Sequence, residues 1–194
     1  MIITIAGLPG SGKTTVAKII AEKLNYGHYS IGDLRREIAT RHNMSLAELN
    51  EIGLKEEWPH KEADDFLKEL GEAKDNMVID AWVGFHFIPS SIKVFISTDI
   101  DLAAKRIFGD IINRPNENYN SVEEVKEGIQ KRVEMSDQAY RTDYNVSFLD
   151  QSHYDLILDS TNKTPEEIIK EILDFIPSES HYKDECEDQG DLSV

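Results

Sequence analysis

The residues best suited to chemistry lie near the N-terminus, in the run Gly7-Leu8-Pro9-Gly10-Ser11-Gly12-Lys13-Thr14-Thr15. Glycines at this spacing let the backbone curl around phosphates and turn N–H groups inward, and a side chain at Gly10 or Gly12 would obstruct it. Lys13 can reach the β and γ phosphates of ATP, and the Thr14 hydroxyl can ligate Mg²⁺. The alternative is a glycine-rich turn without a ligand, but such a turn does not require lysine and threonine in succession.

A second candidate for the metal is Asp80, which ends the apolar run 76–80. Ligands in open α/β sheets gather at the carboxyl ends of the strands, so this carboxylate is placed to act on Mg²⁺ directly or through a water molecule. The alternative is a carboxylate that caps a neighbouring helix.

Five short β-rich runs provide the elements that must position these residues: 2–6, 28–31, 77–80, 92–96 and 154–159. Helical patterns fill the gaps, and capping boxes beginning at Ser45, Ser121 and Thr164 predict where three helices start. Strands that alternate with helices indicate an α/β fold with a parallel sheet between helical layers.

Two segments depart from this alternation. Residues 35–70 predict a helical insertion over one edge of the site, and residues 102–147 form a second helical stretch with a dense set of lysines and arginines. Within the latter, the turn-rich residues 113–120 favour a mobile lid over about 106–120. We expect one domain over 1–177 and an acidic, disordered tail over 178–194.

The composition of the chain disfavours several classes of binding partner and site. The 194 residues carry a net charge of −16, which opposes binding to polynucleotides or anionic membranes. Apolar residues form no run long enough to span a bilayer, and the first residues resemble a strand rather than a leader, so a cytoplasmic monomer is expected. The single cysteine excludes a disulfide framework, and the six scattered histidines are assigned no role.

The order of several motifs resembles the nucleoside monophosphate kinases, most closely the short cytidylate kinases of the archaeal type. Besides the glycine loop, the stretches that carry the resemblance begin at Tyr29 (Tyr-Ser-Ile-Gly-Asp-Leu-Arg-Arg), Arg132 (Arg-Val-Glu-Met-Ser-Asp-Gln-Ala-Tyr) and Tyr154 (Tyr-Asp-Leu-Ile-Leu-Asp-Ser-Thr). The resemblance covers residues 1–176. It implies the P-loop NTPase fold with five parallel strands and the transfer of a phosphoryl group from ATP.

The resemblance also implies roles for residues at matching positions. Ser30, Gly32, Asp33 and Arg36 belong to the acceptor motif, where Arg36 would grip the acceptor phosphate and Asp33 would join Asp80 in holding Mg²⁺ through waters. Three arginines would neutralise charge on the transferring group: Arg106, Arg114 and Arg132. Arg106 would also stack on adenine against residues 160–163. The alternative for these arginines is pairing with surface carboxylates.

The departures from the family lie on the acceptor side. Trp82 stands where the family places an arginine, and the stretch 58–65 lacks the family's Asp-Arg pair. We expect CMP or dCMP as the acceptor with weak discrimination, and a stronger acceptor grip in Trp82→Arg. Two alternatives stay open: a kinase acting on another small acceptor, and a degenerate ATP-binding regulatory protein. A GTPase switch is disfavoured because the chain contains no Asp-x-x-Gly.

Overall fold

Strands and helices alternate along the chain, as the apolar runs predict. A computed structural model describes residues 1–53, 55–73, 75–110, 112 and 119–177. The strands are β1 (Ile2–Gly7), β2 (Gly27–Ser30), β3 (Met77–Asp80), β4 (Ile92–Ser97) and β5 (Leu156–Asp159). The helices are α1 (Lys13–Leu24), α2 (Ile31–Arg41), α3 (Leu46–Gly53), α4 (Trp58–Ala73), α5 (Gly84–Phe87), α6 (Ile100–Gly109), α7 (Val122–Tyr144) and α8 (Pro165–Phe175). A 3₁₀ turn, Gln151–His153, precedes β5.

The five strands form one parallel sheet in the order β2-β3-β1-β4-β5. Asp80 pairs in register with Ser30 on one side and Ile5 on the other. Gly7 pairs with Ile96, so β1 delivers its glycine loop to the same edge. The carboxyl ends of the strands therefore bring the predicted loop and Asp80 together, as expected for an open α/β sheet.

Five strand boundaries differ from the sequence prediction by one or two residues. β1 and β4 each end one residue later, at Gly7 and Ser97, and β2 begins one residue earlier, at Gly27. The other two boundaries are the end of β2 and the start of β5. β2 ends at Ser30 rather than residue 31, because the Ser30 hydroxyl accepts the Asp33 N–H and so caps α2, which begins at Ile31. β5 begins at Leu156 rather than residue 154, because the Tyr154 N–H donates to the carbonyl oxygen of Gln151 and closes the 3₁₀ turn. Both differences are local hydrogen bonds that compete with the ladder.

Apolar side chains on the two faces of the sheet form separate cores. On one face, Ile5 and Val94 pack against Ile20 of α1 and Ile172 of α8. On the other face, strand residues pack against α4 and against the region of α7, through clusters that include Leu67, Ile79, Phe95, Tyr140 and Phe148. This arrangement confirms the predicted three-layer α/β fold.

The three helices between β2 and β3 share a smaller core of their own, which includes Ile38 of α2 and Leu49 of α3. The predicted capping box at the start of α3 is present, because Glu48 accepts the Ser45 N–H at 2.7 Å and Ser45 accepts the Glu48 N–H at 3.2 Å. Thr164 and Glu167 form the same box at α8. Among the described residues, no helix has the length and apolar character needed to cross a bilayer.

Candidate active site

The loop between β1 and α1 takes the shape of a phosphate cradle. Gly10 and Gly12 have φ angles of 77° and 86°, in the left-handed region that side chains rarely adopt. A Cβ at Gly10 would also lie 2.7 Å from the carbonyl oxygen of Ala103, so α6 packs directly on the loop. Lys13 and Thr14 open α1, whose N-terminus favours negative charge. Glycines in the left-handed region followed by a helix N-terminus are the features that a phosphate-binding loop requires, and the binding of phosphate here stays a prediction.

Thr14 and Asp80 meet at the floor of this loop. The Thr14 hydroxyl donates to the Asp80 carboxylate, which is buried at the end of β3. Both side chains offer hard oxygens, and Mg²⁺ bound to a nucleotide needs only one or two protein oxygens besides phosphates and waters. The pair therefore fits a magnesium ion, with Asp80 as the carboxylate.

Arg106 lies in the last turn of α6 and joins three parts of the donor side. Its guanidinium donates to the carbonyl oxygens of Gly10 at 3.3 Å and Ser160 at 3.1 Å. The buried Ser160 hydroxyl in turn donates to the carbonyl oxygen of Ser11 at 3.0 Å. Arg106 thus contacts Ser160, the first residue of the loop 160–163, and its hydrogen bonds also brace the glycine loop. The stacking of Arg106 on adenine stays a prediction.

Asp33 and Arg36, both predicted for the acceptor side, pair with each other across one turn of α2. The Arg36 Nη1 to Asp33 Oδ1 distance is 2.7 Å, and the Asp33 side chain is 56% exposed. Ser30, the last residue of β2, pairs in register with Asp80 and accepts the Asp33 N–H, so both acidic residues lie near the end of this strand. Burial lowers the pKa of His28, and the negative charges of Asp80 and Asp33 oppose that shift. Arg36 lines the cleft together with Ser30 and Gly32, and their contact with an acceptor stays a prediction.

Arg35 was missed in the sequence, and it lies on the buried side of α2. Its side chain is buried and donates to Asn50 Oδ1 at 2.9 Å and to the Pro59 carbonyl oxygen at 3.1 Å. His60 Nδ1 lies 3.3 Å from the same guanidinium, and burial together with the Arg35 charge lowers the His60 pKa to about 4. The adjacent pair Arg35-Arg36 gave no sign of which arginine would be buried.

A buried carboxylate, Asp64, was also missed. It lies on α4, and the Tyr144 hydroxyl of α7 donates to it. Burial raises the pKa of Asp64 to about 6, against the hydrogen bond from Tyr144 and the positive charge of Arg35. Burial likewise raises the pKa of Tyr140 to about 12. A polar network thus connects the helices behind the acceptor side, although the stretch 58–65 offered only the absence of the family's pair as a clue.

Trp82 occupies the space between the loop and α7. Its indole N–H donates to the Gly7 carbonyl oxygen at 2.7 Å, and its ring stacks on Phe148 with centroids 4.5 Å apart and planes 5° apart. The guanidinium carbon of Arg132 lies 5.1 Å from the centre of the Trp82 ring. The tryptophan noticed as a departure from the family therefore contacts both the donor loop and a predicted charge-neutralising arginine.

One cleft of about 400 Å³ connects these groups. Its size suits a small organic ligand. The side chains that line it include, on the donor side, Lys13, Thr14, Thr15, Arg106, Ser160 and Lys163, and on the acceptor side, Ser30, Arg35, Arg36, Asn50, Trp82, Arg132 and Tyr140. Residues 111 and 113–118 of the predicted lid, which include Arg114, and the tail 178–194 lie outside the described residues.

Comparison with known proteins agrees with this geometry. Residues 2–162 match the model of the cytidylate kinase-like family. A cytidylate kinase from Methanobrevibacter smithii is 30% identical over 173 residues, which cover 89% of this chain and 96% of that protein. A cytidylate kinase from Sulfurisphaera tokodaii is 31% identical and covers 91% and 95% of the two chains.

Solved structures show the same fold at lower identity. A shikimate kinase from Bacteroides thetaiotaomicron superposes with a TM-score of 0.59 at 18% identity, over 90% of this chain and 96% of that one. An uncharacterized protein from Eubacterium ventriosum gives a TM-score of 0.65 at 20% identity, over 91% and 98%. These likenesses concern the fold alone. By the family match and the near-complete coverage of its relatives, the chain belongs to the cytidylate kinase-like family, a family of nucleotide kinases.

Proposed function

We propose that the protein transfers the terminal phosphoryl group of ATP to a nucleoside monophosphate, with CMP and dCMP as preferred acceptors. The observation that carries the proposal is the continuous cleft, which joins the phosphate cradle at Lys13 to the acceptor motif at Arg36. Cations at both ends of one cleft suit two phosphorylated substrates that meet in the middle.

The donor side supplies binding and charge. Backbone N–H groups of the loop and the Lys13 ammonium would hold the β and γ phosphates, and Thr14 and Asp80 would hold Mg²⁺, which supplies charge neutralisation when bound. Arg106 braces the cradle through Gly10 and Ser160. Phosphoryl transfer needs positioning and charge stabilisation more than covalent chemistry, and these groups provide both.

The acceptor side supplies orientation. Arg36 would release Asp33 and form a two-pronged contact with the acceptor phosphate. Because the Asp33 side chain is 56% exposed, the loss of this ion pair costs little free energy. Arg132, on the Trp82 ring, would neutralise charge that develops on the transferred group. The preference for cytidine is supported by the relatives named as cytidylate kinases.

A product assay tests this proposal. The protein is incubated with ATP, Mg²⁺ and each of CMP, dCMP, UMP, AMP and GMP, and nucleoside diphosphates and ADP are measured by ion-exchange chromatography. We expect stoichiometric CDP and ADP with CMP and slower turnover of the other monophosphates. If ATP binds but every monophosphate is inert, the proposal fails, and the alternatives are another small acceptor or a regulatory ATP-binding role.

A further inference from the structure

We infer that Trp82 is a positioning residue that fixes the phosphate cradle and Arg132 relative to each other during phosphoryl transfer. The inference rests on the proposed function and assigns a role to a residue that touches neither the reacting phosphate nor the metal in the account above. Three contacts made by one side chain support it.

The first contact holds the start of the cradle. Gly7 is the last residue of β1, and its carbonyl oxygen accepts the Trp82 indole N–H at 2.7 Å in a partly buried position. The Leu8 N–H, one residue on, donates to the carbonyl oxygen of Ile96 in β4. The point at which the chain leaves the sheet is therefore fixed from both sides, by the backbone of β4 and by the side chain of Trp82.

The second and third contacts use the two faces of the indole ring. Phe148 lies parallel to one face, with centroids 4.5 Å apart, and it is fully buried. Because that face is covered, the Arg132 guanidinium, 5.1 Å from the ring centre, lies over the other. The Trp82 ring thus lies between the buried side chain of Phe148 and the guanidinium of Arg132. These contacts restrict the position of the ring, so the ring can hold the glycine loop and Arg132 in place.

The contact with the Trp82 ring leaves Arg132 able to bind phosphate. The face of the ring attracts the positive charge of Arg132 without using its N–H groups as donors to a protein oxygen, so those donors can contact phosphate oxygens. The aromatic surface adds attraction for the cation without adding a negative group that would compete with phosphate.

The same geometry reverses the expectation for Trp82→Arg. An arginine at this position would place a second cation beside Arg132 and would repel it, and it would remove the surface on which Arg132 rests. It would also lose the flat ring that stacks on Phe148. We therefore expect Trp82→Arg to weaken phosphoryl transfer rather than to strengthen the acceptor grip.

The test separates the ring from its N–H. Trp82→Phe keeps an aromatic face for Arg132 but removes the donor to Gly7, whereas Trp82→Leu removes both. In Trp82→Phe we expect a rise of about threefold to tenfold in the KM for ATP with little change in kcat, and in Trp82→Leu an additional fall in kcat of about tenfold. Trp58→Phe, which alters the other tryptophan, on α4, is the matched control.

A double-mutant cycle tests the coupling to Arg132. Arg132→Ala is made in the wild type and in Trp82→Leu, and kcat/KM is measured for all four proteins. If Trp82 positions Arg132, removal of the arginine costs about tenfold less in Trp82→Leu than in the wild type. An equal cost in both backgrounds overturns the inference, as does wild-type kinetics in Trp82→Leu.

A binding measurement distinguishes this inference from the proposed function. In the Trp58→Phe background Trp82 is the remaining tryptophan, and ADP binding to the adjacent cradle is expected to shift its fluorescence. If no monophosphate is phosphorylated but ADP still shifts this emission and binds about threefold more weakly to Trp82→Phe, the proposed function fails and the contact with the cradle stands. The inference fails if ADP does not shift the Trp82 fluorescence and binds to Trp82→Phe as tightly as to the wild type. This holds even where phosphoryl transfer is observed.

Discussion

The proposed donor and acceptor sides of the cleft differ in which parts of the chain form them. On the proposed donor side, one short motif supplies the glycine loop and the helix N-terminus. Asp80, Arg106 and Ser160 support this motif from other elements. On the acceptor side, the wall depends on side chains from separate helices, among them Arg35, Asn50 and Asp64. A change on the proposed donor side would therefore disrupt the motif itself, whereas the proposed acceptor side can change through single side chains.

The largest effect is expected at the donor side. Lys13→Ala should reduce kcat/KM by about 100-fold or more, because a charge-assisted contact is worth about 1.5–3 kcal/mol and a contact made in the transition state can exceed that. Circular dichroism should show an unchanged fold. Lys23→Ala, in the exposed last turn of the same helix, is the control and should retain full activity. Equal loss in both variants would point to the helix rather than to the phosphate contact.

A smaller and more selective effect is expected at the acceptor side. Arg36→Ala should raise the KM for the monophosphate by about tenfold to 100-fold while the KM for ATP changes about twofold or less. The control is Arg41→Ala, which removes an exposed arginine from the same helix, α2. Arg41 pairs with Glu62 of α4, and its removal should change neither KM value. Initial rates over a grid of both substrate concentrations give both values. A parallel rise in the two KM values would remove the distinction between the sides.

The buried network of the acceptor side predicts a pH effect on stability. The pKa of Asp64 is raised to about 6 in the fold, so its protonated form contributes stability that is present below pH 4 and is lost as pH rises to 6. The pKa of His60 is lowered to about 4, so its neutral form contributes stability that is lost as pH falls from 6.5 to 4. In the wild type these two dependences oppose each other.

Asp64→Asn should remove the first dependence and leave the second. Relative to the wild type, the variant should gain about 2–3 kcal/mol in free energy of unfolding between pH 4 and pH 7, as measured by urea denaturation. Asp65→Asn, which changes the half-exposed neighbour on α4, is the control and should follow the wild type. A constant difference across this pH range would show that Asp64 does not titrate with a raised pKa.

The smallest effect is expected from the bracing of the cradle. Ser160→Ala removes the buried hydroxyl that links Arg106 to the carbonyl of Ser11, and one hydrogen bond is worth about 0.5–1.5 kcal/mol. The KM for ATP should rise by about threefold to tenfold, with the KM for the acceptor unchanged. Ser152→Ala, on the exposed 3₁₀ turn, should have no effect. A change confined to the acceptor constant would contradict the assignment of Ser160 to the donor side.

The same contrast explains what could be predicted from the sequence. The strands, their parallel arrangement and the capping boxes at Ser45 and Thr164 follow from local patterns, and the structure confirms them. Ser121 caps α7 as predicted, but the Glu124 side chain accepts the Asn120 N–H in place of the Ser121 N–H. Thr14 and Asp80 could be paired because parallel strands deliver their ends to one edge. These inferences need only the sequence near each residue and the rules of sheet topology.

The acceptor wall could not be predicted because its contacts join distant parts of the chain. The hydrogen bond from Tyr144 to Asp64 spans 80 positions, and no local pattern marks either residue as buried. Trp82 was recognised as a departure, but its bond to Gly7, 75 positions away, depends on how β3 and β1 lie in the sheet. Side-chain networks of this kind require the tertiary structure.

The most direct test of the account is the binding of a bisubstrate analogue that joins adenosine and cytidine through a chain of phosphates. If one cleft holds both substrates, the analogue should bind at least about 100-fold more tightly than ATP or CMP alone. Isothermal titration calorimetry should also show that both Lys13→Ala and Arg36→Ala weaken it. An analogue that binds no more tightly than ATP, and that Arg36→Ala leaves unaffected, would contradict the claim that the acceptor lies against α2 in the same cleft.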